Sequence, residues 1–148
     1  MTTSPEAITK APAATTWRAV FRSLLVASKR INRGADEILS RCGISLAELR
    51  LLALLDDRGP LCLGEISELL YYGKSNITRL VDQLEAEHFV QRQRDAHDRR
   101  SIEAVITEEG RSTLGVARRA MEEASWGLGG LSEEQRQLLV ELLEQVTD

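Results

Sequence analysis

The stretch KSNITRLVDQLEAEHFVQRQRDAHDRRSIEAVITEEG, residues 74–110, changes its hydrophobic period twice. Four apolar residues of its first part recur at the spacing of one helical face: Ile77, Leu80, Val81 and Leu84. Residues 89–94 and 101–106 then read as two short strands, and in the second Ile102, Ala104 and Ile106 alternate with residues 103 and 105 in an imperfect period of two. Thr107 precedes a new helical pattern. The stretch therefore predicts a helix, a β-hairpin and a further helix in direct succession.

Three more helices are predicted upstream of this stretch. A long helix begins at Trp17, carries apolar residues at spacings of three, four and seven, and ends before Gly43. Ser45 opens a second helix with the S-x-x-E capping box, and a Gly-Pro pair at residues 59–60 ends it. A short third helix covers residues 63–70, so two short helices and a hairpin follow each other.

Two helices are predicted downstream of the hairpin. The first starts at Thr107 and is broken by the glycines of residues 127–130, and Ser132 caps the second. The first and last helices of the chain have strong apolar stripes and no obvious partner in 148 residues. Such stripes usually pair with a second copy.

Composition narrows the class of protein. The formal net charge of −4 argues against a generally basic nucleic-acid coat protein, although the charge of the contact face decides DNA binding. Cys42 and Cys62 are too few for a disulfide framework, which favours a reducing compartment. With no signal-type segment and no apolar run of about 18 residues, we expect a cytoplasmic protein that does not contact membranes. Residues 1–15 read as a flexible arm.

Three segments resemble the MarR family of winged-helix transcriptional regulators: residues 59–66, 74–85 and 90–110. Asp98 to Arg100 matches the D-x-R of the family's wing, and Ile106 to Gly110 is similar to its L-T-x-x-G. His88 stands where the family usually has a glycine. The resemblance covers roughly residues 17–147.

The resemblance implies a fold that is mainly α with a small β-hairpin, a winged helix-turn-helix flanked by N- and C-terminal dimerisation helices. It implies a homodimeric regulator, in the family commonly a repressor, that binds a pseudo-palindromic site on double-stranded DNA and responds to a small-molecule ligand. The expected division of the chain is a flexible arm at residues 1–15, a dimerisation helix at 16–44, a DNA-binding domain at 45–110 and dimerisation helices at 111–148.

The fourth helix has the size of a major groove reader, and its polar face carries the residue types that contact bases. Asn76 is suited to adenine and Arg79 to guanine, while Lys74 lies at the helix N-terminus, where backbone N–H groups also favour phosphate. Ser75 and Thr78 are the other residues of this helix that we predict to contact DNA. The alternative is an ordinary solvated helix face.

The hairpin tip contains His97, Asp98, Arg99 and Arg100, which are predicted to meet the minor groove and its phosphates. The resemblance assigns the minor-groove contact to Arg100 and makes Asp98 the buttress of the tip. The alternative is a solvated hairpin whose charges pair with each other.

An aromatic or phenolic effector is a further expectation from the resemblance. Its candidate binding residues are Trp17, Phe21, Arg50, Tyr71 and Tyr72. For Trp17 and Phe21 the sequence alone favours a place in the dimer core over an effector contact. Cys62, just before a helix, is a candidate redox sensor, so a cysteine-based redox regulator is one alternative.

No motif of catalysis or cofactor binding occurs, so we expect neither an enzyme nor a bound cofactor. His88, His97, Cys42 and Cys62 have none of the spacings of a zinc site, and no metal is expected. The alternative from another class is a helical protein-interaction module without DNA binding.

The Arg100→Ala variant is expected to bind its operator much more weakly, because a narrow minor groove attracts a guanidinium. The dimer should persist, since the tip lies outside the predicted dimerisation helices. Gel-shift titration measures the affinity, and sedimentation measures the dimer. Unchanged affinity for DNA would remove the wing tip from the mechanism.

Overall fold

The computed structural model describes residues 16–94, 101–124, 126 and 129–147. In this part the elements follow each other as α1 (Trp17–Leu39), α2 (Leu46–Arg58), β1 (Leu61–Cys62), α3 (Leu63–Leu70), α4 (Lys74–Ala86), β2 (Val90–Arg94), β3 (Ile102–Ile106), α5 (Glu108–Glu122) and α6 (Glu133–Thr147). A short 3-10 turn, Ser40–Cys42, follows α1. The expected winged helix-turn-helix class is confirmed. The flexible arm predicted for residues 1–15 lies outside the described residues.

Three helices begin where the sequence predicts, and in each a side chain caps the first turn. At α2, the Ser45 hydroxyl accepts from the Glu48 N–H at 3.3 Å, and the Glu48 carboxylate accepts from the Ser45 N–H at 2.7 Å. Ser132 and Gln135 repeat this exchange at α6. Thr107 caps α5. Each cap satisfies N–H groups that the first helical turn leaves unbonded, so the local sequence sets these starts.

Residues with left-handed backbone end three of the segments that the sequence predicts as helical, at Gly43, Tyr71 and His88. Gly43, with φ of 78°, terminates the 3-10 turn after α1. His88, with φ of 64°, turns the chain from α4 towards β2. Glycine enters this region without steric cost, whereas histidine adopts it at a modest cost. His88 thus takes over the turn that a glycine would otherwise make.

The predicted hairpin is confirmed, but it belongs to a three-stranded antiparallel sheet ordered β1-β3-β2. Val90 lies opposite Ile106, and Arg94 lies opposite Ile102. On the other side of β3, Leu61 lies opposite Ala104. The sequence did not predict β1, because two residues are too few to show a period.

The core lies inside the reader unit, the winged helix from α2 to β3, together with the adjoining parts of α1 and α5. Its largest fully buried side chains come from every layer: Leu39, Leu51, Leu52, Leu55, Ile66, Ile77, Val81, Leu84, Val90 and Leu114. The N-terminal half of α1 and residues 133–146 of α6 contribute nothing to it. Within the described residues, no helix combines the length and the apolar character needed to cross a bilayer.

Asp56 joins α5 to the end of α2 by two ion pairs. Its carboxylate lies 3.4 Å from Arg111 Nε and 3.1 Å from an Arg118 nitrogen, and Arg118 also lies 3.6 Å from Asp57. Leu114 and Ala117 are buried on the same helix between the two arginines. Charge and packing together therefore hold α5 against the reader unit.

Gly110 brings the first turn of α5 against the start of the wing. A Cβ atom at this position would lie 2.2 Å from the Phe89 carbonyl oxygen and 2.9 Å from the Ile106 side chain. The same carbonyl accepts from the Thr107 N–H at 3.0 Å, and the Thr107 hydroxyl donates to the His88 carbonyl at 2.6 Å. Only a glycine allows this close approach.

The Gly110→Ala variant is expected to lower the free energy of unfolding by about 2 kcal/mol or more, because the Phe89 backbone must move. Gly115→Ala on the same helix is the matched control, since the nearest atom to its added Cβ is an Arg119 nitrogen at 3.9 Å. That control should stabilise by about 0.5–1 kcal/mol through helix propensity. Urea unfolding measures both, and equal effects would contradict the close-approach argument.

Candidate nucleic-acid interface

Packing decides which face of α4 is available to a partner. Ile77, Val81 and Leu84 are fully buried, and Leu80 is nearly so. The predicted readers Ser75, Asn76, Thr78 and Arg79 are all exposed. Since 3.6 residues make a turn, these side chains form a polar surface on the side away from the core. The polar face predicted from the sequence is confirmed as exposed.

The start of α4 leaves backbone donors for an anion. Gly73 is the N-cap residue and provides no side-chain acceptor. Its carbonyl accepts from the Asn76 and Ile77 N–H groups at 2.9 and 3.1 Å. Lys74 is the first helical residue and is exposed. Cation and helix N-terminus together form a favourable place for a phosphate.

The turn from α3 into α4 has a strained residue that the sequence did not reveal. Tyr71 has φ of 56°, and its side chain is 92% exposed. Around it, the Tyr72 N–H donates to the Ser67 carbonyl at 3.1 Å, and the Ser67 hydroxyl donates to the Tyr72 carbonyl at 2.6 Å. Ser67 thereby fixes the direction in which α4 leaves the turn.

Arg50 brings a cation from α2 to the edge of this surface. Its guanidinium lies 5.3 Å from the centre of the Tyr72 ring and donates to the Tyr72 hydroxyl at 3.1 Å. Tyr72 also lines a cleft of about 180 Å³ with Asn76, Arg79, Ala47 and Leu80. The predicted base readers and the Arg50–Tyr72 pair therefore border one another.

Arg92 attaches strand β2 to helix α4. From β2, its guanidinium donates to Asp82 at 2.6 Å and to Glu85, and its backbone N–H donates to Glu85 at 3.1 Å. Burial lowers the pKa of Arg92, but the hydrogen bonds to Asp82 and Glu85 outweigh it and leave that pKa raised. The Arg92 guanidinium thus stays charged and neutralises two acids on α4.

The remaining polar contacts on α4 are short-range. The Thr78 hydroxyl donates to the Lys74 carbonyl at 3.0 Å, which leaves its oxygen free to accept. Arg79 reaches the Gln83 side chain only at 3.5 Å. A contact of this length on an exposed face leaves the guanidinium available to a partner.

The wing tip connects Arg94 to Ser101. The four residues predicted to contact DNA there, His97, Asp98, Arg99 and Arg100, lie outside the described residues. The two strands that carry the tip pair along their whole length, from Val90 opposite Ile106 to Arg94 opposite Ile102. The roots of the wing are therefore set by β2 and β3.

The five effector candidates occur as two pairs and one separate residue, Tyr71. Trp17 and Phe21 have ring centres 6.5 Å apart on the exposed N-terminal half of α1. Arg50 and Tyr72 meet beside α4, and Tyr71 points into solvent from the neighbouring turn. These five residues belong to different parts of the chain and contact one another only within each pair among the described contacts.

Cys62 lies at the N-cap of α3 and is partly buried. Its backbone N–H donates to the Glu65 carboxylate at 2.9 Å, so the acid lies at the same helix end. Cys42, also partly buried and free, lies near the end of α1. In the part of the chain that the structure covers, no cluster of three or more His, Cys, Asp or Glu side chains could hold a metal ion.

Comparison with known proteins gives one family model that matches, that of the MarR family, over residues 44–102. The HTH-type transcriptional repressor MdtR of Bacillus subtilis is 32% identical over 88 residues, which are 60% of this chain and 57% of that protein. The chain spans less than two thirds of the length of the curated relatives it matches, at 62%, 62% and 57% for three of them.

Solved structures match over nearly the whole fold. A mutant of MarR from E. coli complexed with operator DNA aligns with a TM-score of 0.78 at 19% identity, over 87% of this chain and 94% of that one. BpsR of Bordetella bronchiseptica, whose DNA binding is regulated by 6-hydroxynicotinic acid, aligns with a TM-score of 0.79 at 22% identity, over 87% and 93%. At these sequence identities, the similarity to the two structures shows a shared fold.

The Arg92→Ala variant is expected to lower the free energy of unfolding by about 1–2 kcal/mol, because it removes partly exposed hydrogen bonds between charged groups and leaves Asp82 beside Glu85. Arg94→Ala, an exposed arginine of the same strand, should change it by less than about 0.5 kcal/mol. Adding Glu85→Gln to Arg92→Ala should recover part of the loss. Equal losses in the two arginine variants would show that Arg92 has no special role.

Proposed function

We propose that the chain is a member of the MarR family and acts as a sequence-specific DNA-binding transcriptional regulator. The observation that carries the proposal is the exposed polar face of α4, presented by a buried apolar face within a winged helix-turn-helix. A helix of 13 residues with such a face fits the major groove of B-DNA.

In this proposal, Asn76 and Arg79 read base edges, because the amide pairs with adenine and the guanidinium with guanine. Ser75 and Thr78 contact bases or phosphates beside them, and Lys74 neutralises a phosphate at the helix N-terminus. The exposure of all five side chains supports these roles. The wing residues His97, Asp98, Arg99 and Arg100 contact the minor groove and its phosphates, with Arg100 inserted and Asp98 as its support.

The protein acts as a homodimer on a pseudo-palindromic operator. Support comes from the apolar surface that one chain leaves open at both ends, on α1 and on α6: Trp17, Val20, Phe21, Leu24, Leu25, Leu138, Leu139, Leu142, Leu143 and Val146 are all exposed. So large an apolar surface is unusual in a monomer. A two-fold dimer places its recognition helices about one helical turn apart on DNA.

Repression with release by a small aromatic or phenolic effector is the regulation that we propose. The repressor MdtR is similar in sequence, and BpsR, regulated by 6-hydroxynicotinic acid, is similar in fold. Trp17, Phe21, Arg50, Tyr71 and Tyr72 remain the candidate effector contacts. A regulator of this kind performs no catalysis and acts where the chromosome is, which for a bacterial-type regulator is the cytoplasm.

Two experiments test the proposed function. Bound fragments are first selected from genomic DNA, and fluorescence anisotropy then measures their affinity across a range of salt concentrations. The wild-type chain should bind duplex DNA with an affinity that falls steeply with salt, because phosphate neutralisation releases counterions. Footprints should cover two related half-sites. A chain that binds no duplex DNA at low salt would instead favour the protein-interaction module.

Variants of α4 separate base reading from phosphate contact. Asn76→Ala and Arg79→Ala should each cost about 1–3 kcal/mol on the selected operator and little on unrelated DNA. Lys74→Ala should weaken both complexes alike and reduce the salt slope by about one. Arg58→Ala, an exposed arginine at the end of α2, is the control and should leave the operator affinity unchanged.

A further inference from the structure

Arg50 is an exposed arginine of α2 without an acidic partner in the part of the chain that the structure covers. The acids of its own helix are engaged elsewhere. Glu48 is buried and bonds Ser45 at the start of α2, and the acids near the end of α2 pair with arginines of α5. The positive charge of Arg50 is therefore available to a binding partner.

Tyr72 holds the Arg50 guanidinium in one position. The centre of its ring lies 5.3 Å from Arg50 Cζ, and its hydroxyl accepts from Arg50 Nη1 at 3.1 Å. Tyr72 is itself fixed, because its ring packs against the core and its backbone exchanges two hydrogen bonds with Ser67. A long side chain that is already ordered loses less conformational freedom when it binds a partner. Arg50 is thus a preorganised cation.

The Arg50–Tyr72 pair lies beside the polar face of α4. Ala47, which precedes Arg50 by three residues, lines the same cleft of about 180 Å³ as Tyr72. The other walls of this cleft include Asn76 and Arg79, the two predicted base readers. Residues three apart on a helix are neighbours on its surface, so Arg50 lies next to the cleft. The helix α2 therefore adds a cation at the edge of the surface that α4 presents.

The contact with Tyr72 leaves most donors of the Arg50 guanidinium unused. A guanidinium has five N–H donors, and among the described residues the Tyr72 hydroxyl is the one acceptor that this group bonds. Two neighbouring N–H groups of arginine match the spacing of two phosphate oxygens and bind both at once. A lysine ammonium lacks this planar fork. Arg50 thus has the charge and the donors that a phosphate requires.

We propose that Arg50, positioned by Tyr72, binds a phosphate of the DNA strand that borders the groove entered by α4. The proposal rests on the DNA binding of the proposed function and adds a contact from outside the helix α4 and the wing. Base edges lie inside the major groove, within reach of α4, whereas a cation on a neighbouring helix meets the backbone at its border. The contact fixes the position of the protein on the duplex and reads no base.

Arg50 is also one of the candidate effector contacts, and the two roles exclude each other. The carboxylate of an aromatic acid would take the same free N–H donors that a phosphate takes, because both anions bind the guanidinium fork. An effector bound at Arg50 would therefore remove one DNA contact directly, without a movement of α4.

Four variants separate the charge of Arg50 from its positioning. Arg50→Gln removes the charge at an exposed site, and Arg50→Lys keeps the charge but loses the fork. Tyr72→Phe removes the hydroxyl and keeps a ring to pack against the core. Arg58→Gln is the matched control, since Arg58 is another exposed arginine of α2. Circular dichroism and urea unfolding check that the fold persists in each variant.

Fluorescence anisotropy across salt concentrations gives the readout, on the selected operator and on an unrelated duplex. Arg50→Gln should weaken both complexes by about tenfold at low salt and reduce the salt slope by about 0.9, because one phosphate loses its cation. Arg50→Lys and Tyr72→Phe should each weaken both complexes by about two- to threefold and leave the slope unchanged, since the charge remains. Adding Tyr72→Phe to Arg50→Gln should cause no further loss, because the hydroxyl acts through Arg50. Arg58→Gln should bind like the wild type.

Each other outcome overturns the proposal in a recognisable way. Wild-type affinity of Arg50→Gln for both duplexes would show that Arg50 binds no phosphate. A loss on the operator alone would make Arg50 a base contact. A further loss when Tyr72→Phe is added to Arg50→Gln would show that Tyr72 does not act by positioning Arg50. A wild-type chain that binds no duplex DNA would refute the proposed function as well, whereas the first three outcomes leave that function intact.

Discussion

The burial of Ile77, Val81 and Leu84 on one side of α4 is the constraint on which the candidate interface depends. Removing each of these side chains from water stabilises the fold by roughly 1.5–3 kcal/mol, so the helix cannot rotate without a large loss. The same packing therefore turns Asn76 and Arg79 outward. The buried apolar face of α4 therefore determines the direction in which its polar face points.

Arg92 extends this constraint from the helix to the wing. Because it bonds both Asp82 and Glu85, the strand β2 cannot shift along α4 without exposing a carboxylate pair. Gly110 acts at the base of the hairpin, where it lets α5 approach the Phe89 carbonyl. Helix, wing and α5 thus form one unit, which gives the proposed DNA-binding surface of helix and wing a defined geometry.

Periodicity and caps predict the helices well, because both signals lie within a few neighbouring residues. Ser45 and Ser132 mark helix starts through contacts three residues away. The two-residue strand β1, the left-handed Tyr71 and the partners of Arg92 are different, because each depends on how distant segments meet in space. A sequence shows an arginine near acids, but the bend at His88 decides which acids it reaches.

The distribution of charge over separate surfaces explains how a chain with a negative net charge is compatible with the proposed binding to negatively charged DNA. The net charge of −4 averages over surfaces with separate tasks: Lys74 and Arg79 on a helix whose nearest acids are bound by Arg92, cations along α1 and acids along α6. Screening limits each exposed charge to about 8–10 Å at physiological salt, so a partner at α4 experiences the cations near it and little of α6. The total charge governs solubility, whereas the arrangement of charge along individual helices governs which partner each surface binds.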